Sequence, residues 1–406
     1  MKRRNLIKGL SLLPFAGGAL GSVIPSSCAV AAPEAKRDVF AELGLRKFIN
    51  AAGTYTSMTA SLMPEEVMNA INSSAKEFVM LDEVQDKVGV KIAAMCHAEA
   101  AMVTAGCWSA MVLGMAGLLT GTDSKKIAQL PRLESTGIKS EVIIQKGHMN
   151  GYEHALTNTG VTLVAVETRQ EAENAINEKT AMMWFLNREA SVGKIQHEEW
   201  LEIAKKYNLP TMIDIAADVP PVENLWKYND MGFDLVCISG GKAICGPQSA
   251  GILMGKKDLI AAARLNGPPN GGNIGRGMKV NKEEIIGMYV ALDSYIKRDH
   301  NKEWKMWEDR IALINNAVKD ISGVTTEIII PPVANHTPSL MIAWDNSKIK
   351  LTKESLGEKL RNGKPSVETV SWEKDNSIRI TVFMLKTRQE KIVAERIKEE
   401  LLLASA

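Results

Sequence analysis

From about residue 95 the chain alternates two hydrophobic rhythms. Residues 106–119 (GCWSAMVLGMAGLL) place small and apolar side chains at helical spacing. Residues 141–145 (EVIIQ) and 161–166 (VTLVAV) are short β-branched runs, the second followed by a polar helix around Arg169–Asn177. Residues 181–186 (AMMWFL) read as a strand, and 197–207 (HEEWLEIAKKY) as an amphipathic helix closed by Asn208-Leu209-Pro210. Residues 211–215 (TMIDI), 234–238 (DLVCI) and 249–254 (SAGILM) add three more strands. Strands alternating with helices predict an α/β fold with a doubly wound, mostly parallel sheet covered on both faces.

After about residue 282 the rhythm changes. Residues 283–322 predict one long helical stretch, intact or broken. Candidate strands follow at Thr325–Ile330, Ser339–Trp344 and Ser377–Phe383, and a charged helix from Lys386 to Leu403 ends the chain. The division expected is therefore a signal peptide over 1–31 and a segment over 32–75 that lies on the small domain or on a partner subunit. A large α/β domain over 76–290 and a small C-terminal α+β domain over 291–406 complete it.

The first 31 residues differ from the rest. MKRRNLIK leads into a weakly apolar run from Gly9 to Ile24 that contains Pro14, and Ala29-Val30-Ala31 offers a small-x-small cleavage pattern. This is an export signal, too short and too broken to span a bilayer. Arg3-Arg4 with Leu6 and Lys8 point to the twin-arginine route, an ordinary secretion signal being the alternative. Cys28 is a candidate lipidation site, but Pro25 stands where such a site wants Leu or Val. Past the signal no run of 18 apolar residues occurs, so the expected mature protein is periplasmic with no stable membrane insertion.

The 406 residues are 45% apolar and 24% charged, which excludes a disordered or collagen-like chain. Aromatics are only 5% while Gly (31) and Met (20) abound, which favours close helix–strand packing over stacking on nucleic bases. The net charge is +2, yet residues 1–31 hold Lys2, Arg3, Arg4 and Lys8 and no acid. The remainder thus carries two more acidic than basic side chains, with no signature of nucleic-acid binding. Cys96, Cys107, Cys237 and Cys245 are too few and too spread for a disulfide scaffold, and no C-x-x-C pair suggests a metal.

The richest chemistry lies in Ser239-Gly240-Gly241-Lys242-Ala243-Ile244-Cys245-Gly246-Pro247-Gln248-Ser249-Ala250-Gly251. A lysine after a buried strand is costly to keep charged, which suits an amine that must act as a neutral, imine-forming nucleophile. Flanking glycines let a planar ligand approach the backbone. A surface lysine in a β-turn is the plainer alternative. Asp214 closes the strand TMID, at the end where ligands of doubly wound sheets bind, and could hold a protonated ring nitrogen. Thr104-Ala105-Gly106-Cys107-Trp108-Ser109 opens a helix whose free N–H groups suit a phosphate, or are simply capped by Thr104. His148 follows the strand EVIIQ where a flat ring could stack on a cofactor, although a lone His also serves as a cap.

In this chain order the phosphate-binding helix start, stacking residue, strand-end Asp and Lys resemble the fold-type I pyridoxal-phosphate enzymes. SGGKAICGPQSAGILMGKK (239–257) resembles the lysine segment of the bacterial L-seryl-tRNA(Sec) selenium transferase family, and GRGMKVNKEEIIGM (275–288) a block downstream of it. IDIAADVPPVENL (213–225) is similar to relatives known as D-glucosaminate-6-phosphate ammonia lyases. The resemblance implies pyridoxal 5'-phosphate as cofactor, Lys242 as its Schiff-base lysine and proton carrier, and Asp214 as partner of the pyridinium. It further implies that His148 stacks on the ring and that the Gly106, Cys107 and Trp108 amides hold the phosphate together with the Ser239 hydroxyl. Arg379 would clamp the substrate carboxylate, and Arg276 would bind an anion across a subunit interface, so that at least a homodimer is expected. Asp218 and Glu223 are candidates for proton transfer or for helix capping. The selenium transferases carry Asp immediately before the lysine, where Gly241 stands here, and a charged tRNA is absent outside the cytoplasm. The activity expected is therefore a lyase that removes the Cα proton and eliminates ammonia from an amino acid or amino-sugar acid. An aminotransferase, an aldolase or racemase, and an exported binding protein without catalysis are the alternatives.

Overall fold

A computed structural model describes residues 37–371 and 376–405; the expected signal peptide with Cys28 lies outside the described residues. Of the described residues, 37–47 belong to a unit of their own. In it the helix Val39–Glu42 starts at Asp38, whose carboxylate accepts the Phe40 and Ala41 N–H groups.

The rest of the chain is built around a large mixed sheet. In chain order its strands are β1 Ile49–Asn50, β2 Ala100–Thr104, β3 Glu141–Gln145, β4 Thr162–Val166, β5 Thr180–Leu186, β6 Thr211–Asp214, β7 Leu235–Ser239 and β8 Gly251–Gly255. These are followed by β9 Val324–Ile329, β10 Ser339–Trp344, β11 Val367–Glu368 and β12 Ser377–Thr381. Seven of them form one sheet in the order β2-β8-β7-β6-β5-β3-β4. β3 to β7 run parallel, and β8 is antiparallel to both β7 and β2. The expected mostly parallel sheet is present.

Alternate side chains explain why its strands read as unbroken apolar runs. In β5, Met183 and Phe185 enter a core with the helices Leu81–Met95, His197–Lys206 and Lys282–Lys297, whereas Met182, Trp184 and Leu186 enter a second core with the helix Gly106–Thr120. Both faces are covered, so both sets must be apolar. The Gly106–Thr120 helix lies close on its neighbours because its small residues allow it: a Cβ at Gly114 would sit 2.7 Å from Met212 Cε, and one at Gly117 2.5 Å from the Ala263 amide nitrogen. At the β2 edge the buried Gln85 side chain donates to Val103 O (2.7 Å) and accepts from Val103 N (3.1 Å), so the strand edge is satisfied without another strand.

A third core collects the small antiparallel sheet β12-β10-β9, the helices His300–Val318 and Gln389–Ala404, and also Ile49 and Ala51. β1 pairs in parallel with β11, Ile49 opposite Val367. The helical stretch expected over 283–322 is broken at Arg298-Asp299, where Asp299 caps the second helix. Its first half, Lys282–Lys297, packs in the large-sheet core and its second half in the third core.

Candidate active site

All six strands that run one way end at the same edge, and three of those ends carry the candidate residues. β2 ends at Thr104, leading to the Gly106–Thr120 helix; β6 ends at Asp214; β7 ends at Ser239, three residues before Lys242. Gly251 opens β8 between them, in register with Thr104 on one side and Ser239 on the other. A Cβ on Gly251 would lie 2.5 Å from Gly106 C and 2.6 Å from Cys107 N, so a bare glycine is what lets the helix start approach the lysine strand.

That helix start is open. Its first residue, Gly106, has φ +84°, a left-handed conformation that favours glycine. The residue before it is Ala105, and no side chain caps the first-turn amides. Thr104, a possible cap by sequence, turns its hydroxyl to Gly106 O at 2.9 Å instead. The amides of Gly106, Cys107 and Trp108 therefore have the geometry of an anion cradle. The Trp108 indole is 38% exposed beside it. Ser239 is half-buried at the facing strand end.

Asp214 is buried, 2% exposed. Its Oδ1 accepts the Ala216 N–H at 2.8 Å and the Cys107 thiol at 3.4 Å. Burial pushes its pKa up; the Ala216 amide, the Lys242 charge and the Cys107 thiol pull the other way. Burial also holds the Cys107 and Cys237 thiols well above their ordinary range, so both stay protonated and Cys107 stays a donor. A buried carboxylate with its charge only partly compensated fits a cationic ring N–H.

Lys242 is half-buried, more accessible than its strand-flanked setting suggests, because it lies in the turn after β7 and not in the sheet. Its carbonyl accepts the Cys245 N–H at 2.9 Å. The turn is fixed from below. Gly241 O accepts both the Ser61 N–H (3.1 Å) and the Ser61 hydroxyl (2.8 Å). A Cβ at Gly241 would sit 2.5 Å from Gln248 Cα, which is why the Asp of the selenium transferases has no room in this turn.

His148 departs from its expected role. It is fully buried, its Nδ1 accepts the Leu186 N–H at 3.1 Å, and its ring meets Phe185 edge-on at 4.4 Å between centroids. Burial, with a smaller push from His197, lowers its pKa to about 4, so the ring is neutral. A Cβ at Gly193 would fall 2.5 Å from its Nε2. A ring enclosed in this way offers no free face to a cofactor and instead braces the ends of β3 and β5.

Arg379 lies on β12 opposite Met341 and exchanges backbone hydrogen bonds with Val370, while its neighbours Ile378 and Ile380 enter the third core. Arg276 is exposed in the loop after Gly275. Glu223 starts the helix Asn224–Met231 without a side-chain cap. Asp218 does not cap it either; it lies four residues past the end of β6, buried, with its Oδ2 accepting Asn187 Nδ2 at 2.9 Å. Sequence reasoning missed the group that holds Asp218, namely Asn187, Tyr228 and His197; its one signal was a polar residue directly after the apolar run of β5. Among the described residues no cluster of metal-ligating side chains occurs.

Comparison with known proteins agrees with this architecture. The class-V aminotransferase family model matches residues 148–285. D-glucosaminate-6-phosphate ammonia lyase of Salmonella typhimurium is 28% identical over 341 residues, covering 81% of this chain and 88% of that protein. L-seryl-tRNA(Sec) selenium transferase of Aquifex aeolicus is 24% identical over 375 residues, 80% of this chain and 77% of that one. A solved structure of D-glucosaminate-6-phosphate ammonia-lyase superposes with a TM-score of 0.78 at 24% identity, over 92% of this chain and all of that one. The strand-end lysine, buried carboxylate and open helix start thus sit in the fold of the fold-type I pyridoxal-phosphate enzymes, similar over residues 148–285 to the class-V aminotransferases.

Proposed function

We propose that this protein is a pyridoxal-phosphate-dependent lyase that takes the Cα proton of an amino acid or amino-sugar acid, expels a substituent from Cβ and releases ammonia. One observation carries the reading: a 2%-exposed carboxylate, Asp214, lies within electrostatic reach of the half-buried amine of Lys242, both beside an uncapped helix start. The similarity to D-glucosaminate-6-phosphate ammonia lyase over 88% of that protein supports the choice of elimination.

The bound cofactor supplies an electron sink for the pair left when the Cα–H bond breaks. The chain supplies the rest. The Gly106, Cys107 and Trp108 amides and the Ser239 hydroxyl hold the phosphate. Asp214 keeps a proton on the ring nitrogen by offering it a desolvated carboxylate. Lys242 is the amine that holds the cofactor's aldehyde carbon when no substrate is bound, and its nitrogen then takes the Cα proton. Arg379 receives the substrate carboxylate. Arg276 serves a further anion, from a partner copy in a homodimer. An aminotransferase is the second reading, favoured by the class-V family match. We further propose a periplasmic location reached by the twin-arginine route; the Arg3-Arg4 pair and the weakly apolar run to Ile24 support it. The substrate is a small molecule, since the chain past residue 31 has no excess of basic residues for a tRNA.

The test is ammonia release from a panel of amino acids and amino-sugar acids, D-glucosaminate 6-phosphate included. Ammonia and keto acid without an added acceptor support the lyase; an obligatory keto-acid acceptor replaces it with the aminotransferase. Borohydride reduction followed by peptide mapping should fix the cofactor on Lys242. Fractionation of cells, and loss of export on Arg3→Lys with Arg4→Lys, checks the location.

A further inference from the structure

Asp218 is 1% exposed, yet only half of its carboxyl group is accounted for. Oδ2 accepts Asn187 Nδ2 at 2.9 Å, while Oδ1 is buried without a hydrogen-bond partner. An orphaned carboxyl oxygen in the interior is costly and calls for a ligand or a proton. The surroundings are rigid. Asn187, itself 2% exposed, also donates to Tyr228 OH at 2.7 Å, and its oxygen takes the Nε2–H of His197 at 2.6 Å. The amide is thereby fixed in one orientation and cannot turn to serve Oδ1. The backbone is pinned as well, with Asp218 N–H on Ile215 O at 3.1 Å and Ala217 O accepting the Asn335 N–H at 2.7 Å.

We infer that Asp218 is the second acid of the site and that its Oδ1 hydroxyl hydrogen-bonds the oxygen substituent on Cβ of the substrate, giving up its proton as that oxygen departs. The inference rests on the lyase reading. The elimination then balances. Lys242 takes the Cα proton, the Cα–H electron pair becomes the Cα–Cβ double bond, and the Cβ–O pair leaves on oxygen. The Asp218 proton joins that oxygen, so water departs instead of hydroxide. Lys242 ends with one proton more and Asp218 with one fewer, and transfer between them restores both. A β-hydroxy amino acid or amino-sugar acid is accordingly the substrate class.

The charges around the carboxyl group fit the role. Burial is the largest influence and raises its pKa to about 7; Asp214 on the end of β6 adds to this, while Asn187, Lys242 after β7 and Arg188 after β5 oppose it. Tyr228, on the helix Asn224–Met231, is held well above its ordinary range by burial and by Asp218, so it stays neutral. His197 is pulled below its ordinary range, chiefly by burial. From the segment that contributes Asn335, His336 is the titratable neighbour, engaged with Pro331 O. An acid with these surroundings keeps its proton below neutrality and loses it above, so its contribution to turnover falls as pH rises through about 7.

The experiment uses the full-length holoenzyme and Asp218→Asn, which keeps the oxygen that Asn187 needs but has no acidic proton. Probes are D-glucosaminate 6-phosphate, D-serine and L-serine, with their β-chloro counterparts, whose chloride leaves without protonation. For the hydroxyl probe that reacts, kcat of Asp218→Asn should fall about 100-fold or more, and the alkaline limb of kcat/KM near pH 7 should vanish. For the β-chloro counterpart kcat should stay within about threefold of the parent. Apo protein gives a readout independent of turnover: an infrared carboxylic-acid band present at pH 6, titrating away by pH 8, and missing from Asp218→Asn. Equal loss on hydroxyl and chloro probes overturns the proposal, because it indicates a structural role. An unchanged pH profile, or no acid band assignable to Asp218, overturns it too. Wild-type silence on every probe overturns the lyase reading and this role together, and a surviving acid band then locates the error in the reaction and not in the residue.

Discussion

The Cys107 thiol points its proton at Asp214 Oδ1 across 3.4 Å, and Cys107 also supplies one of the amides at the open helix start. In the proposed binding mode one residue would serve both ends of the cofactor, the phosphate through its backbone and the ring nitrogen's partner through its side chain. Cys107→Ala removes a contact that lowers the Asp214 pKa, so that pKa rises further. A neutral hydrogen bond of this type contributes about 1 kcal/mol, so cofactor affinity should weaken by less than about tenfold. Cys107→Ser should retain most of it. Equilibrium titration followed by visible absorbance measures both.

Asp214 trades stability of the empty protein for function. Its pKa is raised by burial, so folding favours the protonated form and stability declines as pH rises above the ordinary carboxylate range. Asp214→Asn removes that decline. The apo variant should melt above wild type at pH 7.5, while its gain in Tm on adding pyridoxal phosphate should shrink and kcat should fall by about 100-fold or more. Scanning calorimetry with and without cofactor, beside an ammonia assay, checks the crossing.

His148 predicts an acid-sensitive scaffold. Its folded pKa of about 4 lies below the unfolded value of 6.5, so the unfolded chain binds the extra proton between those values. Its contribution is complete above pH 6.5 and is lost as pH falls toward 4, amounting to about 3 kcal/mol at most. Urea denaturation at pH 7 and pH 4.5 should show this drop in wild type and a smaller one in His148→Gln.

Gly251 tests the cradle. Gly251→Ala places a methyl group against Gly106 and Cys107 backbone atoms, which cannot yield as a side-chain tip would. Overpacking of this kind costs about 1–3 kcal/mol. The variant should melt lower and bind pyridoxal phosphate at least about tenfold more weakly, since the helix start must shift. Pyridoxal without its phosphate should lose little by the same change.

The doubly wound core was legible because a parallel sheet covered on both faces demands unbroken apolar runs, and β5 and β7 are such runs. β2 was not: Ala100–Thr104 has few β-branched residues, and its outer edge is met by the Gln85 side chain at Val103, which no local pattern reveals. Lys242, Asp214 and the Gly106 helix start were legible because each follows a strand that ends at one edge of the sheet. The enclosure of His148 was not, since it depends on Gly193 and Leu186, far along the chain. Asn187 and Ser61 escaped for a similar reason. Asn187 acts through hydrogen bonds to Asp218, Tyr228 and His197 and Ser61 through two to Gly241, and such partners leave no periodicity.

The hydroxyl and amide of Ser61 hold Gly241, while about ten residues earlier Ile49 and Ala51 are knitted to β11 and β12, far later in the chain. A nascent polypeptide therefore cannot anchor the segment that carries the floor beneath its lysine until β11 and β12 have been made. A product truncated before β11 lacks both tethers, however well its central sheet forms.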